Sequence, residues 1–287
     1  MRTLYRNGGP DSPYLWRMLR ALDYLWRHLD GPLPLERLAE EACLSPFHFH
    51  RVYRGLMAET VGETRQRLLL HRAAGQLDGG SLPLSKVAAR AGYGGTAAFV
   101  RAFARAYGES PGRYRQRRAF ISRQDWETVM HEVTLLKQDK GLTVLMRRHA
   151  GSYMEIGQAF GALQAISPAC AVGDAPGRAF GIYLDDREQT EEAKLRAIAC
   201  VTVPDAWQGR PLPDGFEWGE IPAGEYACVT HLGPYAELST AWSWLYRHWL
   251  PGSGRAPGGV PCVEEYLNSP YDNPPTALRT RLMLSLA

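Results

Sequence analysis

Ser45-Pro46-Phe47-His48-Phe49-His50-Arg51-Val52-Tyr53 reads as the start of a short helix. Ser at the N-cap offers a side-chain oxygen to an orphan backbone N–H, and Pro at the first helical position has no N–H to lose. On a 3.6-residue period Phe49, Val52 and Tyr53 fall together towards a core, while Phe47, His50, Arg51 and Arg54 fall on faces that stay outside. Such an outer face suits a helix that reads DNA. It suits an ordinary amphipathic surface helix equally well, and the stretch alone leaves both open.

The neighbouring segments narrow the choice. Leu35 to Ala42 forms another short helix and Cys43-Leu44 the turn after it, with small Ala39 where two helices must approach closely. Helix, tight turn and helix is the helix-turn-helix arrangement. Upstream, Ser12-Pro13 opens a helix whose Leu15, Met18, Leu19, Leu22, Leu25, Trp26 and Leu29 recur at helical spacing until Asp30-Gly31-Pro32 ends it. Downstream, a longer helix over about Val61 to Leu77 carries Arg65, Arg67, His71 and Arg72 and stops at Asp78-Gly79-Gly80.

The pattern then returns. Leu82 to Tyr93 repeats Leu33 to Leu44 at an offset of 49, and Phe99, Arg101 and Phe103 answer Phe49, Arg51 and Tyr53 at an offset of 50. Two such units on one connecting helix can present two reading helices to DNA about one turn apart, roughly 34 Å, so one chain reads a site without dimerising. Tyr107-Gly108-Glu109-Ser110-Pro111-Gly112 closes the second unit, and Arg113, Arg115, Arg117 and Arg118 follow. Beside two reading helices these arginines fit phosphate contact; alone they would fit a solvated helix end.

Charge agrees with a polyanion partner for the front of the chain only. Residues 1–120 hold 19 Lys and Arg against 10 Asp and Glu, whereas residues 121–287 hold 14 against 20. At 287 residues the length suggests two domains, each large enough for its own core. No apolar run approaches the roughly 20 residues that span a bilayer, and the first residues lack the apolar stretch of a signal peptide, so the chain reads as cytoplasmic with no membrane partner. Cys43, Cys170, Cys200, Cys228 and Cys262 are odd in number and widely spaced. They suggest neither a disulfide framework nor a metal site, but small buried hydrophobes. No cofactor is implied.

From about Ala119 to Met130 a polar junction intervenes, with Phe120, Ile121 and Trp126 available to dock. The expected division is residues 1–120 for the helical domain, 121–128 for the junction and 129–287 for the second domain. Beyond the junction the texture turns strand-like, as in Val129-His131-Val133-Leu135 and Leu142-Val144-Met146. This part repeats internally as well. His149 to Ile156 matches His231 to Leu238 at an offset of 82, and Tyr183 to Asp186 matches Tyr266 to Ser269 at 83, as does Leu195-Arg196 with Leu278-Arg279. Helical stretches follow the first pair, Gly157 to Ser167 and Ser239 to Leu250. Each half thus supplies strands plus one helix, making a pseudo-twofold α+β domain with a central cleft.

The repeat is most informative where it fails. Opposite Gly181 stands Glu264, two residues before the matched Tyr266 on a strand. Trp242, Trp244, Tyr246 and Trp249 lie on the second helix, Trp242 and Trp249 on one face of it, and Trp218, Tyr226 and Tyr235 lie on nearby segments. Aromatic walls around one carboxylate suit an organic cation, by cation–π attraction and a poorly solvated counter-charge. An aromatic core with Glu264 or Glu265 at a solvated strand edge fits the same residues.

Two resemblances bear on these alternatives. From about Pro13 to Arg118 the chain resembles the AraC/XylS transcription regulators. The resemblance rests on Leu38-Ala39 and Leu44 to Arg51 in the first unit, and on Val87-Ala88, Ala91-Gly92-Tyr93, Phe99 to Phe103 and Tyr107 to Arg115 in the second. It implies tandem helix-turn-helix units that read bases through Phe47, His50 and Arg51 in the first and Ala97 and Arg101 in the second; Arg54 on the same outer face, and Arg113 and Arg115 of the arginine cluster, are expected to join them on DNA. RNA polymerase is a further expected partner. Ala97 departs from the polar reader usual there and offers only apolar contact, for instance to a thymine methyl. Gly94-Gly95 weakens the start of that helix. The first unit is therefore expected to specify sequence more strongly.

Residues 129–287 resemble the GyrI-like small-molecule-binding domain, through Gly151-Ser152-Tyr153, Gly181 to Asp186, Gly233-Pro234-Tyr235 and Glu264 to Pro270. The resemblance implies a pocket for amphipathic, often cationic compounds, of the multidrug-binding kind, with Glu264 as counter-charge among Tyr266, Trp218, Tyr235, Trp242, Trp249, Tyr183 and Tyr153. Glu265 stands where an apolar residue is usual, which leaves open which carboxylate faces the pocket. The two resemblances together imply a one-component transcription regulator and not an enzyme. The runner-up is a hydrolase using Glu264 and a nearby tyrosine as acid and base, and a third reading is a drug-sequestering protein.

Overall fold

The computed structural model describes residues 13–78, 80–121, 132–166, 177–187 and 189–287, with the backbone alone at 13–16, 121 and 206. Of the expected junction 121–128, residues 122–128, with Trp126, lie outside the described residues, as does Cys170.

Among the described residues of the front of the chain the helices are α1 (Pro13–Arg27), α2 (Leu35–Glu41), α3 (Pro46–Met57), α4 (Val61–Leu77), α5 (Leu84–Arg90), α6 (Thr96–Tyr107) and α7 (Pro111–Ile121). Ser45 caps α3 as its sequence requires, its hydroxyl accepting from the His48 N–H at 3.4 Å. Phe49 and Tyr53 are fully buried, and Val52, expected beside them, is only half-buried. Helix α4 opens on a capping box: Thr60 N–H donates to the Glu63 carboxylate at 2.7 Å and Glu63 N–H to the Thr60 hydroxyl at 3.2 Å.

The two helix-turn-helix units differ at their tightest places. The turn between α2 and α3 puts Cys43 at φ 49°, where the turn between α5 and α6 puts Gly92 at φ 78°; α3 ends on Ala58 at φ 59°, where α6 ends on Gly108 at φ 73°. The first unit thus carries a Cβ where the second carries glycine, and left-handed backbone costs an L-residue roughly 1–2 kcal/mol. Changing Ala58→Gly should accordingly stabilise the chain by about 0.5–1 kcal/mol, after glycine's own entropy cost. A urea midpoint that stays put or falls would contradict this. The turn position also explains why Cys43 is exposed, against the expectation that the cysteines are buried; Cys200 and Cys228 are buried, and burial pushes their thiols up to about 12 and about 11.

The remainder is α+β. Strands β1 (Val133–Gln138) and β2 (Leu142–Ala150) precede α8 (Gly157–Ile166), and β3 (Ala179–Tyr183), β4 (Arg196–Thr202), β5 (Glu217–Ile221) and β6 (Gly224–Leu232) follow it. Helix α9 (Leu238–Trp244) continues through a π-helical turn, Leu245–Trp249, and β7 (Cys262–Tyr266) and β8 (Arg279–Leu286) end the chain. The internal repeat holds element by element: β2, a 3-10 turn at Tyr153–Glu155, α8, β3 and β4 recur as β6, a 3-10 turn at Tyr235–Glu237, α9, β7 and β8.

By contact the chain divides into two compact units. The first comprises Met1–Gln66, Leu142–Phe180 and Asp185–Ile221, and joins the first helix-turn-helix to one half of the repeat. In it β5, β2 and β4 form antiparallel pairs and α8 packs on α1 and α3, with the Gln164 amide donating to the Leu56 carbonyl at 3.2 Å. The second comprises Arg67–Gly141, Gly181–Leu184 and Pro222–Ala287, and joins most of α4 and the second helix-turn-helix to the other half. Its strands run β1-β6-β8-β7, all antiparallel, with Ala227, Val229, Leu245 and Leu284 as one buried cluster under α9. Among the described residues no helix is long and apolar enough to cross a membrane.

Candidate ligand site and DNA-reading helices

Within the second unit, β7 alternates its side chains, so Glu264 and Glu265 point to opposite faces. Glu265 is buried but neutralised, with the Arg281 guanidinium donating to it at 2.5 Å. Glu264, 5% exposed, sits instead among aromatic donors: Trp242 Nε1–H donates to one carboxylate oxygen at 2.9 Å and the Tyr266 hydroxyl to the other at 3.1 Å. The pairing of Glu265 with Arg281 leaves Glu264 as the carboxylate that the aromatic cluster holds.

Tyr183 and Tyr266, equivalent in the repeat, bring their hydroxyls within 2.5 Å of each other. Both tyrosines also hydrogen-bond Glu264, so the two hydroxyls and the carboxylate form one hydrogen-bonded cluster. Burial, reinforced by the Glu264 charge, pushes both hydroxyls well above the usual tyrosine range, which keeps them protonated donors. Tyr235 closes one side, its ring edge-on to Tyr266 at 5.2 Å. His71 of α4 meets the Tyr235 ring at 5.9 Å, and Arg67 of the same helix lies 4.6 Å over Tyr271.

Glu264, Tyr266, Tyr183, Trp242 and Tyr235 therefore come together, and three other expected ligand residues are engaged differently. Trp249 packs on the cluster of Ala227, Val229, Leu245 and Leu284. Trp242 packs on the same cluster while its Nε1–H reaches Glu264, and the helix that carries both ends in a π turn, with the Leu250 N–H donating to the Leu245 carbonyl five residues back. Trp218 and Tyr153 belong to the first unit, where Trp218 Nε1–H donates to the Arg210 carbonyl and the Tyr153 hydroxyl to the carbonyls of Asp185 and Arg196.

On α3, Phe47 is 65% exposed, Arg51 and Arg54 are exposed and His50 is half-buried. The Arg51 guanidinium lies 5.0 Å over the Phe47 ring, a cation–π contact that holds both side chains outward. On α6, Ala97 and Arg101 are exposed above buried Phe99, Phe103 and Tyr107. Gly95 gives α6 no side-chain cap. Arg113 is exposed in the first turn of α7, at the place that Glu63 of the capping box holds in α4.

Arg115 is engaged inward: half-buried, it donates to the Leu82 carbonyl at 2.6 Å. Arg65, its counterpart fifty residues earlier, donates likewise to the Gly31 carbonyl at 3.1 Å. In each unit one arginine ties the closing helix to the loop ahead of the first helix. Arg117 and Arg118 also turn inward, onto Glu109, Asp78 and Glu237. Arg113 is thus the exposed member of the cluster nearest the second reading helix.

Comparison with known proteins places these features. Residues 133–287, more than half of the chain, match the GyrI-like small molecule binding domain. The chain belongs to the GyrI-like family. Residues 38–117 match a helix-turn-helix domain, of the AraC type expected from the sequence. The chain is 32% identical over 112 residues to the probable transcriptional regulator YgiV of Escherichia coli O157:H7, covering 38% of this chain and 66% of YgiV. It is 32% identical over 97 residues to the regulatory protein SoxS of Salmonella typhimurium, covering 33% of this chain and 90% of SoxS. A DNA gyrase inhibitor of Edwardsiella piscicida is 30% identical over 93 residues, 32% of this chain and 60% of the inhibitor. The chain spans 66% and 54% of the length of the first two curated relatives that it matches, both named YgiV.

In this GyrI-like chain the place where the repeat fails has a steric cause. A Cβ at Gly181 would stand 2.8 Å from the Tyr266 hydroxyl and 2.9 Å from the Tyr183 ring, so only glycine lets the tyrosine pair close on Glu264. Changing Gly181→Ala should cost about 1–3 kcal/mol by overpacking and alter Trp242 fluorescence. An unchanged urea midpoint and spectrum would contradict this account of the position. The Trp242 hydrogen bond and the inward arginines were not legible in the sequence, since indole and guanidinium donors leave no spacing signature.

Proposed function

We propose that this GyrI-like chain is a one-component transcription regulator whose tandem helix-turn-helix units bind an operator and whose second domain takes a small amphipathic, aromatic cation. The proposed domains are residues 1–120 and 129–287, its place is the cytoplasm, and RNA polymerase is its expected partner on DNA. The observation that carries the reading is Glu264, buried and held by Trp242 and Tyr266 inside an aromatic cluster, in a chain that also exposes Phe47, Arg51 and Arg101 on reading helices. A buried carboxylate keeps its charge at a desolvation cost, and an organic cation offsets that cost where water cannot. Aromatic faces around it add cation–π attraction.

The same geometry argues against acid–base turnover. A hydroxyl held well above the usual tyrosine range and already donating to Glu264 is a poor base near neutral pH.

Two measurements on the full chain test the reading. Selection from a random duplex library should enrich one sequence, and calorimetry with tetraphenylphosphonium should give one site per chain that a neutral aromatic of like size fills far less tightly. No enrichment, or no preference for the cation, would count against it.

A further inference from the structure

The proposed ligand site and the second helix-turn-helix belong to the same compact unit, and a single short turn touches both. That turn is Tyr235–Ala236–Glu237, closed by the Glu237 N–H donating to the Pro234 carbonyl at 2.9 Å. At its start, Tyr235 lies edge-on to Tyr266, which holds Glu264. At its end, Glu237 is 8% exposed and takes two bonds from Arg117, at 2.8 and 3.3 Å. Arg118, 5% exposed, stands 3.9 Å from the same carboxylate, donates to Thr240 of α9 at 2.8 Å and holds Asp78, at the end of α4, through two bonds. Both arginines are on α7, whose Tyr114 packs against Phe103 and Tyr107 of the second reading helix.

We propose that the Tyr235–Glu237 turn is the element that transmits occupancy of the Glu264 site to the second reading unit, with Glu237 as the latch on Arg117 and Arg118. The proposal rests on the function proposed above. A cation at Glu264 competes with the donors Trp242 and Tyr266 for the carboxylate, and any shift of Tyr266 moves Tyr235, which packs on it. Two residues on, a three-residue turn with its own hydrogen bond has little slack to absorb the movement. The bidentate pair transmits displacement because separating it leaves the buried Glu237 carboxylate, and Arg118 beside it, without its partner in a poorly solvated place. Fifty residues back, Arg117 and Arg118 stand opposite Arg67 and Leu68, and Arg67 lies over Tyr271. Coupling requires that the ligand favour one arrangement of this turn over another.

The test is the affinity of the full chain for its selected duplex, with and without saturating tetraphenylphosphonium, in wild type, Glu237→Gln and Thr240→Val. Wild type should show a ratio of affinities of about fivefold or more. In Glu237→Gln the ratio should fall to near one, while binding of duplex alone and of cation alone stays at wild-type levels. In Thr240→Val, which removes one bond to Arg118 and decides the matter should Glu237→Gln not fold, the ratio should fall by at least half. A wild-type ratio retained in the variants overturns the latch and leaves the ligand site standing, as does a wild-type chain that binds both partners with no effect of one on the other. A wild-type chain that binds no cation overturns the site itself, and the latch with it.

Discussion

Glu264→Gln should weaken binding of a lipophilic cation by about 30- to 1,000-fold, the equivalent of about 2–4 kcal/mol, while leaving a neutral aromatic of like size nearly unaffected. Glutamine keeps the shape of the side chain and one acceptor for Trp242 or Tyr266, so what disappears is charge. With Glu264 only 5% exposed, that charge interacts with a cation through little water, which is why the loss is large. Stability should change by no more than about 1 kcal/mol, because relief from burying a charge offsets one poorer hydrogen bond. Tryptophan fluorescence titrations of both proteins measure the effect, since Trp242 touches the carboxylate. Equal cation affinity would remove Glu264 from the site.

Arg51→Ala should cost about 1–3 kcal/mol of operator affinity and relax base preference at one position of each bound site. The expectation is larger here than for Arg101, because Arg51 is pre-ordered over Phe47, whereas α6 begins at an uncapped Gly95 and offers Ala97 beside its arginine. Arg51→Lys separates the two ways an arginine acts. It keeps the charge and loses the planar fork, so it should retain most non-specific binding and little of the discrimination. The check is competition between the selected duplex and single-base variants. Unchanged discrimination in Arg51→Ala would take α3 out of base reading.

Much of the architecture was legible because two repeats run through the chain. The offset of 49–50 residues places both helix-turn-helix units, and the offset of 82–83 places strands and helices that carry no strong local signal of their own. Glu264 stood out where the second repeat breaks, and the reason is spatial: glycine at 181 makes room for the tyrosines that hold the glutamate. Basic clustering misled in part at Arg115, Arg117 and Arg118. A guanidinium looks the same in sequence whether it meets a phosphate, a carbonyl such as that of Leu82, or a buried carboxylate such as Glu237. Which of these it meets is decided by segments more than thirty residues away for Arg115 and more than a hundred for Arg117.

The central claim is that one chain joins a cation site to DNA reading. Its most direct test is the affinity of the full chain for tetraphenylphosphonium, free and saturated with its selected duplex. Linkage requires the duplex to change cation affinity by the same factor that the cation changes duplex affinity. A change of about fivefold or more, of either sign, is expected. Identical cation affinity in the free and DNA-bound chain would contradict it.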